Sequence, residues 1–212
     1  EANDKLNLMN RIIRHDINNQ LTVQRAQLEL IRGLIHNPDA LARLRRMEDS
    51  ILTVQKQIAF TSDYEQIGAV SPRWQCLDDV LRELPDLKDV SSLEVDSRLQ
   101  DLTIYADPMF PKVFHNLFEN TLKYGGRPPS VRIGLIENGH GLKLIYEDKG
   151  AGISREEKEK LFQKGFGRGT GLGLFLSKEI LALTGMTILE SGEPGKGVRF
   201  EISVPPGHYR FG

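Results

Sequence analysis

Apolar residues recur at Leu6, Ile13, Ile17, Leu21, Leu28, Ile31 and Ile35, at spacings of three, four and seven. The span from Ala2 to Ile35 has no proline, and its one glycine is Gly33. That pattern predicts one face of a long helix. Asn37-Pro38 then marks a turn, and Asp39 stands where a side chain can cap the next helix. Leu44, Met47, Ile51, Val54 and Ile58 alternate by three and four, the seam of a coiled coil. The two arms predict an antiparallel helical hairpin. Two helices cannot enclose a core alone, so two hairpins are expected to join as a homodimer in a four-helix bundle.

After a stretch from Ser62 to Pro72 the period changes. A short helix fits Cys76 to Leu84, and strands fit Leu93 to Arg98 and Thr103 to Ala106. A helix fits Pro108 to Tyr124, with proline where its missing N–H is tolerated. Ser130 to Glu137 and Leu142 to Glu147 read as strands paired across the turn Asn138–Gly141. A helix over Gly171–Leu183 and strands over Met186–Ser191 and Gly197–Val204 complete the chain. The predicted class is α+β. Residues 1–62 form the hairpin, residues 63–71 a linker, and residues 72–212 a domain with helices on a mixed sheet.

Composition narrows the function. Among 212 residues, 28 basic and 29 acidic side chains give a net charge of -1, so no basic excess points to nucleic acid. Cys76 is the only cysteine, which excludes an internal disulfide and a cysteine zinc cluster and fits a reducing compartment. No apolar run reaches membrane-span length and no signal peptide is visible, so no direct membrane contact is expected of this chain. The first residues, EANDKL, lack an initiator methionine. The expectation is a cytoplasmic fragment, or the cytoplasmic portion of a membrane-bound sensor.

Three elements carry candidate chemistry. In FHNLFENTLKYGG, Asn116, Asn120 and Lys123 are spaced by four and three on one helix face. Two amides and an ammonium suit a phosphate chain with hydrated magnesium, which needs few protein ligands. In EDKGAGI, Asp148 follows a strand, and Gly150 and Gly152 permit close backbone approach. A carboxylate there can accept a hydrogen bond from the exocyclic amino group of adenine. In GRGTGLGLFLSKEI, Arg168, Gly169, Thr170, Gly171, Leu172 and Gly173 lead into a helix whose N-terminus can cradle phosphate. The spacing is not the dinucleotide fingerprint, and no G-K-[ST] supports a Walker loop.

These three boxes, in this order, resemble the ATP-binding domain shared by histidine kinases, gyrase, mismatch-repair proteins and heat-shock chaperone ATPases. The resemblance covers Ser71 to Pro205 and implies an α/β sandwich. It implies that Asn120 holds Mg2+, that Asn116 and Lys123 contact the phosphates of ATP, and that Asp148 binds adenine with Tyr124 beside it. It implies a mobile lid over Ser154–Gly169, seated by Phe162 and Phe166.

On the first helix, RHDINNQL places Asp16 next to His15 and Asn19 one turn on. With the hairpin and the nucleotide boxes, this resembles the phosphoacceptor motif of two-component sensor histidine kinases. The resemblance implies autophosphorylation of His15, transfer to an aspartate of a response-regulator receiver domain, and phosphatase activity through Asn19. Asp16 stands where the family has Glu, Asn19 where it has Thr, and Gln20 where it has Pro, so a weaker helix kink is expected. His115, beside the asparagine box, is a further candidate phosphate contact; His36, His140 and His208 fall in turns or the tail. Two alternatives stay open: a related ATPase, and a non-catalytic dimeric nucleotide-binding scaffold that docks a receiver. Against the first, the position one turn before Asn120 is Asn116, an amide that cannot serve as base to a water.

Overall fold

A computed structural model describes residues 2–84, 92–138, 141–167 and 169–212. The side chain of Leu6, the turn holding His140, and Arg168 lie outside the described residues. The chain divides into two compact units, Glu1–Asp63 and Tyr64–Gly212.

The first unit is the helical hairpin. Helix α1 spans Ala2–Leu34 without interruption, and α2 spans Pro38–Gln66, continuing into the stretch read from sequence as linker. Asn37, not Asp39, caps α2: its Oδ1 accepts the backbone N–H of Asp39 at 2.9 Å and of Ala40 at 3.2 Å. The reason is Pro38, which has no N–H and takes the first helical position, so the cap falls on the residue before it. Asp39 sits in the first turn, where its charge meets the positive helix end. Leu21, Leu28, Leu44 and Ile51 form the buried seam, with Ile35, Leu41 and Ile58 packed against it. Each such side chain stabilises the unit by roughly 1.5–3 kcal/mol. Ile13, Ile17, Ile31, Met47 and Val54, equally part of the sequence stripe, remain 36–54% exposed.

The second unit holds two sheets. Strands β1 (Arg73–Cys76), β3 (Leu102–Ala106) and β8 (Tyr209–Phe211) form an antiparallel three-stranded sheet in the order β1-β3-β8. Strands β2 (Ser92–Val95), β4 (Ser130–Asn138), β5 (Gly141–Asp148), β6 (Thr187–Glu190) and β7 (Arg199–Val204) form the larger sheet, ordered β2-β4-β5-β7-β6. It is mixed: β2 runs parallel to β4, and the other pairs are antiparallel. The central strand β5 is buried along most of its length.

Helices α3 (Leu77–Arg82), α4 (Phe110–Tyr124), α5 (Arg155–Lys158) and α6 (Gly173–Ala182) complete the unit. Helix α4 buries Phe110, Val113, Phe114, Leu117, Phe118 and Thr121, a stripe at helical spacing. It begins at Phe110 rather than Pro108 because the Asp107 carboxylate accepts the Met109 N–H at 2.8 Å. The expected strand over Leu93–Arg98 stops at Val95, because Asp96 accepts the Arg98 N–H and opens a 3-10 turn over Ser97–Leu99. Helix α6 starts at Gly173, not Gly171, because Gly171 takes φ +62°, outside the helical region. Among the described residues no helix is long and apolar enough to cross a membrane.

Candidate functional site

In the hairpin unit, His15 stands in solvent on α1, its side chain 72% exposed. Its Nδ1 lies 3.2 Å from Asp16 Oδ1. The Asn19 amide nitrogen, one turn later, lies 3.3 Å from Nδ1 and 3.5 Å from Nε2. A carboxylate can only accept, so the Asp16 contact suits the tautomer with the proton on Nδ1 and the lone pair on Nε2. The Asn19 N–H then meets Nε2 at the long edge of hydrogen-bond range. His15, Asp16 and Asn19 are thus together on an exposed stretch of α1.

In the second unit, α4 spreads Asn116, Asn120 and Lys123 from the interior to the surface. Asn116 is buried, and its amide nitrogen donates to the Gly173 carbonyl at 2.9 Å and to Ser177 Oγ at 3.1 Å. Its visible task is to dock the first turn of α6 on α4. Gly173 suits that junction, since its Cβ position lies 3.4 Å from the Asn116 amide carbon. Asn120 is half-buried. Lys123 donates to Glu119 at 2.6 Å, a half-exposed ion pair one turn apart. Such pairs contribute only about 0.3–0.5 kcal/mol, so a phosphate can displace the glutamate.

Asp148, at the end of β5, is 7% exposed. Its Oδ1 accepts from the backbone N–H of Gly150 at 2.9 Å and of Val198 at 3.2 Å. Its Oδ2 accepts from the Thr121 hydroxyl at 2.8 Å. Tyr146 lies behind, its hydroxyl 2.9 Å from Thr121 Oγ1. Threonine spends its one proton on Asp148, so the tyrosine is the donor to Thr121. Burial pushes the Tyr146 phenol far above its ordinary range; the Thr121 hydrogen bond opposes this, and the Asp148 charge adds to it. The phenol therefore keeps its proton. A carboxylate offers about four acceptor directions, and three are filled here, which leaves one on Oδ2 for an incoming N–H.

Glycines keep this carboxylate approachable. A side chain at Gly125 would come within 3.1 Å of Asp148 Oδ2, and one at Gly150 within 2.7 Å of the Tyr124 carbonyl. Gly152 takes φ +71° against the Gly197 and Glu193 carbonyls. Tyr124, 42% exposed, has its hydroxyl 3.9 Å from the Cβ position of Gly169. Between the boxes, the Gly165 N–H donates to the Gly171 carbonyl at 3.1 Å, closing a loop that holds Gly169 and half-buried Thr170. Leu172 is the N-cap of α6 and provides no side-chain cap, so the first N–H groups of that helix are not taken by the capping side chain. Phe162 packs edge-to-face on Phe200 of β7 with ring centroids 6.4 Å apart, and Phe166 is half-buried in the same loop.

Three participants escaped the sequence reading: Thr121, Tyr146 and Gly197. Thr121 falls one residue after Asn120, on the buried side of α4, and a helix-interior threonine carries no motif signal. Among the described residues no cluster of three or more His, Cys, Asp or Glu could hold a metal ion. Asn120 offers an amide oxygen, a donor that magnesium accepts beside water and phosphate oxygens. His115 is half-buried with its Nδ1 enclosed and lacking a hydrogen-bond partner.

Comparison with known proteins shows what this chain resembles. Residues 108–208 match the family described as histidine kinase-, DNA gyrase B-, and HSP90-like ATPase. The chain is 26% identical over 211 residues to the sensor protein KdpD of Escherichia coli (strain K12), covering 90% of this chain and 23% of that protein. It is 27% identical over 210 residues to sporulation kinase E of Bacillus subtilis (strain 168), covering 91% and 28%. It is 38% identical over 112 residues to the sensor protein EvgS of Escherichia coli (strain K12), covering 47% and 9%. The chain thus spans less than a third of the length of these curated relatives. The full-length ShkA structure in complex with AMPPNP shares the fold at TM-score 0.67 and 18% identity, over 99% of this chain and 46% of that one. Acinetobacter baumannii histidine kinase AdeS shares it at TM-score 0.57 and 21% identity, over 91% and 98%. The ATPase-family match over residues 108–208 and the relatedness along nearly the whole chain to sensor kinases together support a sensor histidine kinase catalytic core.

Proposed function

We propose that the chain binds Mg-ATP in residues 72–212 and transfers the γ-phosphoryl group to Nε2 of His15 in the hairpin of residues 1–62, with residues 63–71 as linker. The phosphohistidine then serves an aspartate of a response-regulator receiver domain. The observation that carries this reading is the one acceptor direction left on Asp148 Oδ2, buried and rigidly held, where an adenine amino group would donate.

In this reading the Nε2 lone pair forms a bond to the γ-phosphorus while the bond to the β,γ-bridging oxygen breaks, and ADP leaves with that electron pair. Asp16 stabilises the cationic ring through the Nδ1–H. Lys123 exchanges Glu119 for a phosphate oxygen. Asn116 sets the α6 start that meets the phosphates, and Gly169, Thr170, Gly171, Leu172 and Gly173 supply backbone groups there. Asn120 would contribute its amide oxygen to magnesium, which supplies neutralisation of phosphate charge. Asn19 orients a water toward the receiver's phosphoaspartate in the reverse, phosphatase direction. The exposed Ile13, Ile17, Ile31, Met47 and Val54 support a homodimer, since a second hairpin would cover them. The working location is the cytoplasm or the cytoplasmic side of a membrane-bound sensor.

Calorimetric titration with ATP and magnesium tests the nucleotide site. Saturable binding is expected for the parent chain, with a loss of about tenfold or more in Asp148→Asn, the effect of removing a charged acceptor. Equal affinity in both proteins would remove Asp148 from the adenine site and the reading with it.

A further inference from the structure

Lys158 ends the short helix α5, at the base of the segment read as lid. In sequence it is one of two lysines in the charged run REEKEK and invites the reading of a solvated side chain. The structure places it otherwise: its side chain is 21% exposed, and its ammonium lies 2.7 Å from Oε2 of Glu190, whose side chain is 1% exposed. The approach lacks hydrogen-bond alignment at Oε2, so the attraction there is one of charge. The same ammonium donates to the Gly192 carbonyl.

The other oxygen of Glu190 organises the β6–β7 turn. Oε1 accepts the Gly192 N–H at 3.0 Å and the Arg199 N–H at 3.2 Å. That turn is the backing of the adenine-side carboxylate. The Val198 N–H donates to Asp148 Oδ1, the Gly195 N–H donates to the Ala151 carbonyl at 2.7 Å, and Gly152 packs on the Glu193 and Gly197 carbonyls. From the opposite direction, Asp148 is joined to Lys158 through Gly152 and the Ser154 capping box that starts α5. One buried carboxylate therefore meets both ends of this loop: the turn that donates to Asp148 and the helix that starts the lid.

We propose that Lys158 and Glu190 form a positioning latch for the nucleotide site. The pair holds the lid base and the β6–β7 turn in the one geometry that leaves Asp148 Oδ2 free for the nucleotide. Lys158 touches no reacting atom in this assignment. It acts through the turn and α5, and the proposal rests on Asp148 being the adenine contact. Its physical basis is that a buried carboxylate stays ordered only with its charge matched. Without Lys158, α5 loses its tie to β6 and the loop from Ala151 to Lys158 gains alternative arrangements, each of which reduces the fraction competent to bind.

The test uses the whole chain with a fluorescent ATP analogue, measuring Kd, and with labelled ATP, measuring the rate of label incorporation at saturating nucleotide. Lys158→Met keeps the stem of the side chain and removes the charge. It is expected to raise Kd about tenfold, in the range of a site coupled through its support, and to leave the saturating rate within about twofold, because bound nucleotide selects the competent loop. Lys158→Arg is expected to restore most of the affinity. In Lys158→Met/Glu190→Gln, where no buried charge is left unmatched and the amide oxygen can still accept from Gly192 and Arg199, part of the affinity should return. A merely structural role would lower the melting temperature and the active fraction in Lys158→Met while Kd stayed at the parent value, and that result would overturn the latch. So would a Lys158→Arg variant no better than Lys158→Met. Failure of the parent chain to bind the analogue at all would instead remove the nucleotide reading on which the latch rests.

Discussion

Oδ1 of Asp16 lies 3.2 Å from Nδ1 of His15, its neighbour on the same helix, with both side chains open to solvent. In the proposed transfer Asp16 would orient the ring through Nδ1–H, and its charge would match the cation formed there. Asp16→Asn keeps an acceptor but not the charge. Its autophosphorylation rate should fall roughly 10²-fold, within the span of catalysis by a positioned acid or base. Single-turnover labelling checks this, and an unchanged rate would reduce Asp16 to a solvated neighbour.

Thr121 bridges Tyr146 and Asp148 inside the second unit. Thr121→Val removes a donor from a buried carboxylate and leaves a buried phenol without its acceptor. Unfolding in urea should show a loss of about 1–3 kcal/mol, the cost of stranding a buried polar group. ATP affinity should fall with it, and Thr121→Ser should retain most of both.

Gly197 and Gly195 share the positive-φ region in one turn but differ in surroundings. A side chain at Gly197 would overlap the Asp148 carbonyl, whereas nothing lies within 4 Å of the Cβ position of Gly195. Gly195→Ala should cost about 1 kcal/mol, a backbone effect alone. Gly197→Ala should cost more and abolish nucleotide binding, since Asp148 must shift. Denaturation midpoints with titration of ATP compare the two, and equal losses would contradict the packing.

Glu201 lies among Lys143, Ser191 and Arg199, at 2.9, 2.7 and 3.2 Å. Hydrogen bonds from Lys143 and Ser191 lead the shift that lowers its carboxyl to about 2, against the opposing effect of burial. A carboxyl depressed in the folded state stabilises the fold above the unfolded pKa, and that contribution is lost as pH falls through the folded value. The urea midpoint of the parent chain should therefore exceed that of Glu201→Gln near pH 7, and the gap should close between about pH 4.5 and about 2. A gap independent of pH over that window would contradict the charge network.

Legibility from sequence followed the range of the interactions. The hairpin seam was plain because Leu21 and Leu28 meet Leu44 and Ile51 at helical spacing, a local pattern. The His15, Asn116 and Asp148 boxes stood out because each gathers polar side chains or glycines into a few consecutive residues. Strands β1 and β8 were not: Arg73–Cys76 and Tyr209–Phe211 are short, and both exist by pairing with β3, far from one or the other in the chain. The Asn37 cap was hidden behind Pro38. Thr121 and Lys158 were invisible because a helix-interior threonine and a lysine in a charged run look solvated until distant Asp148 and Glu190 are brought to them.

The claim on which all of this depends is phosphoryl transfer to one imidazole. Incubation of the chain with γ-labelled ATP and magnesium measures it directly. Label that is stable in base, lost in acid and absent from His15→Gln is the expected result. A His15→Gln protein labelled as fully as the parent, or a parent that binds nucleotide and takes up no label, would contradict the account.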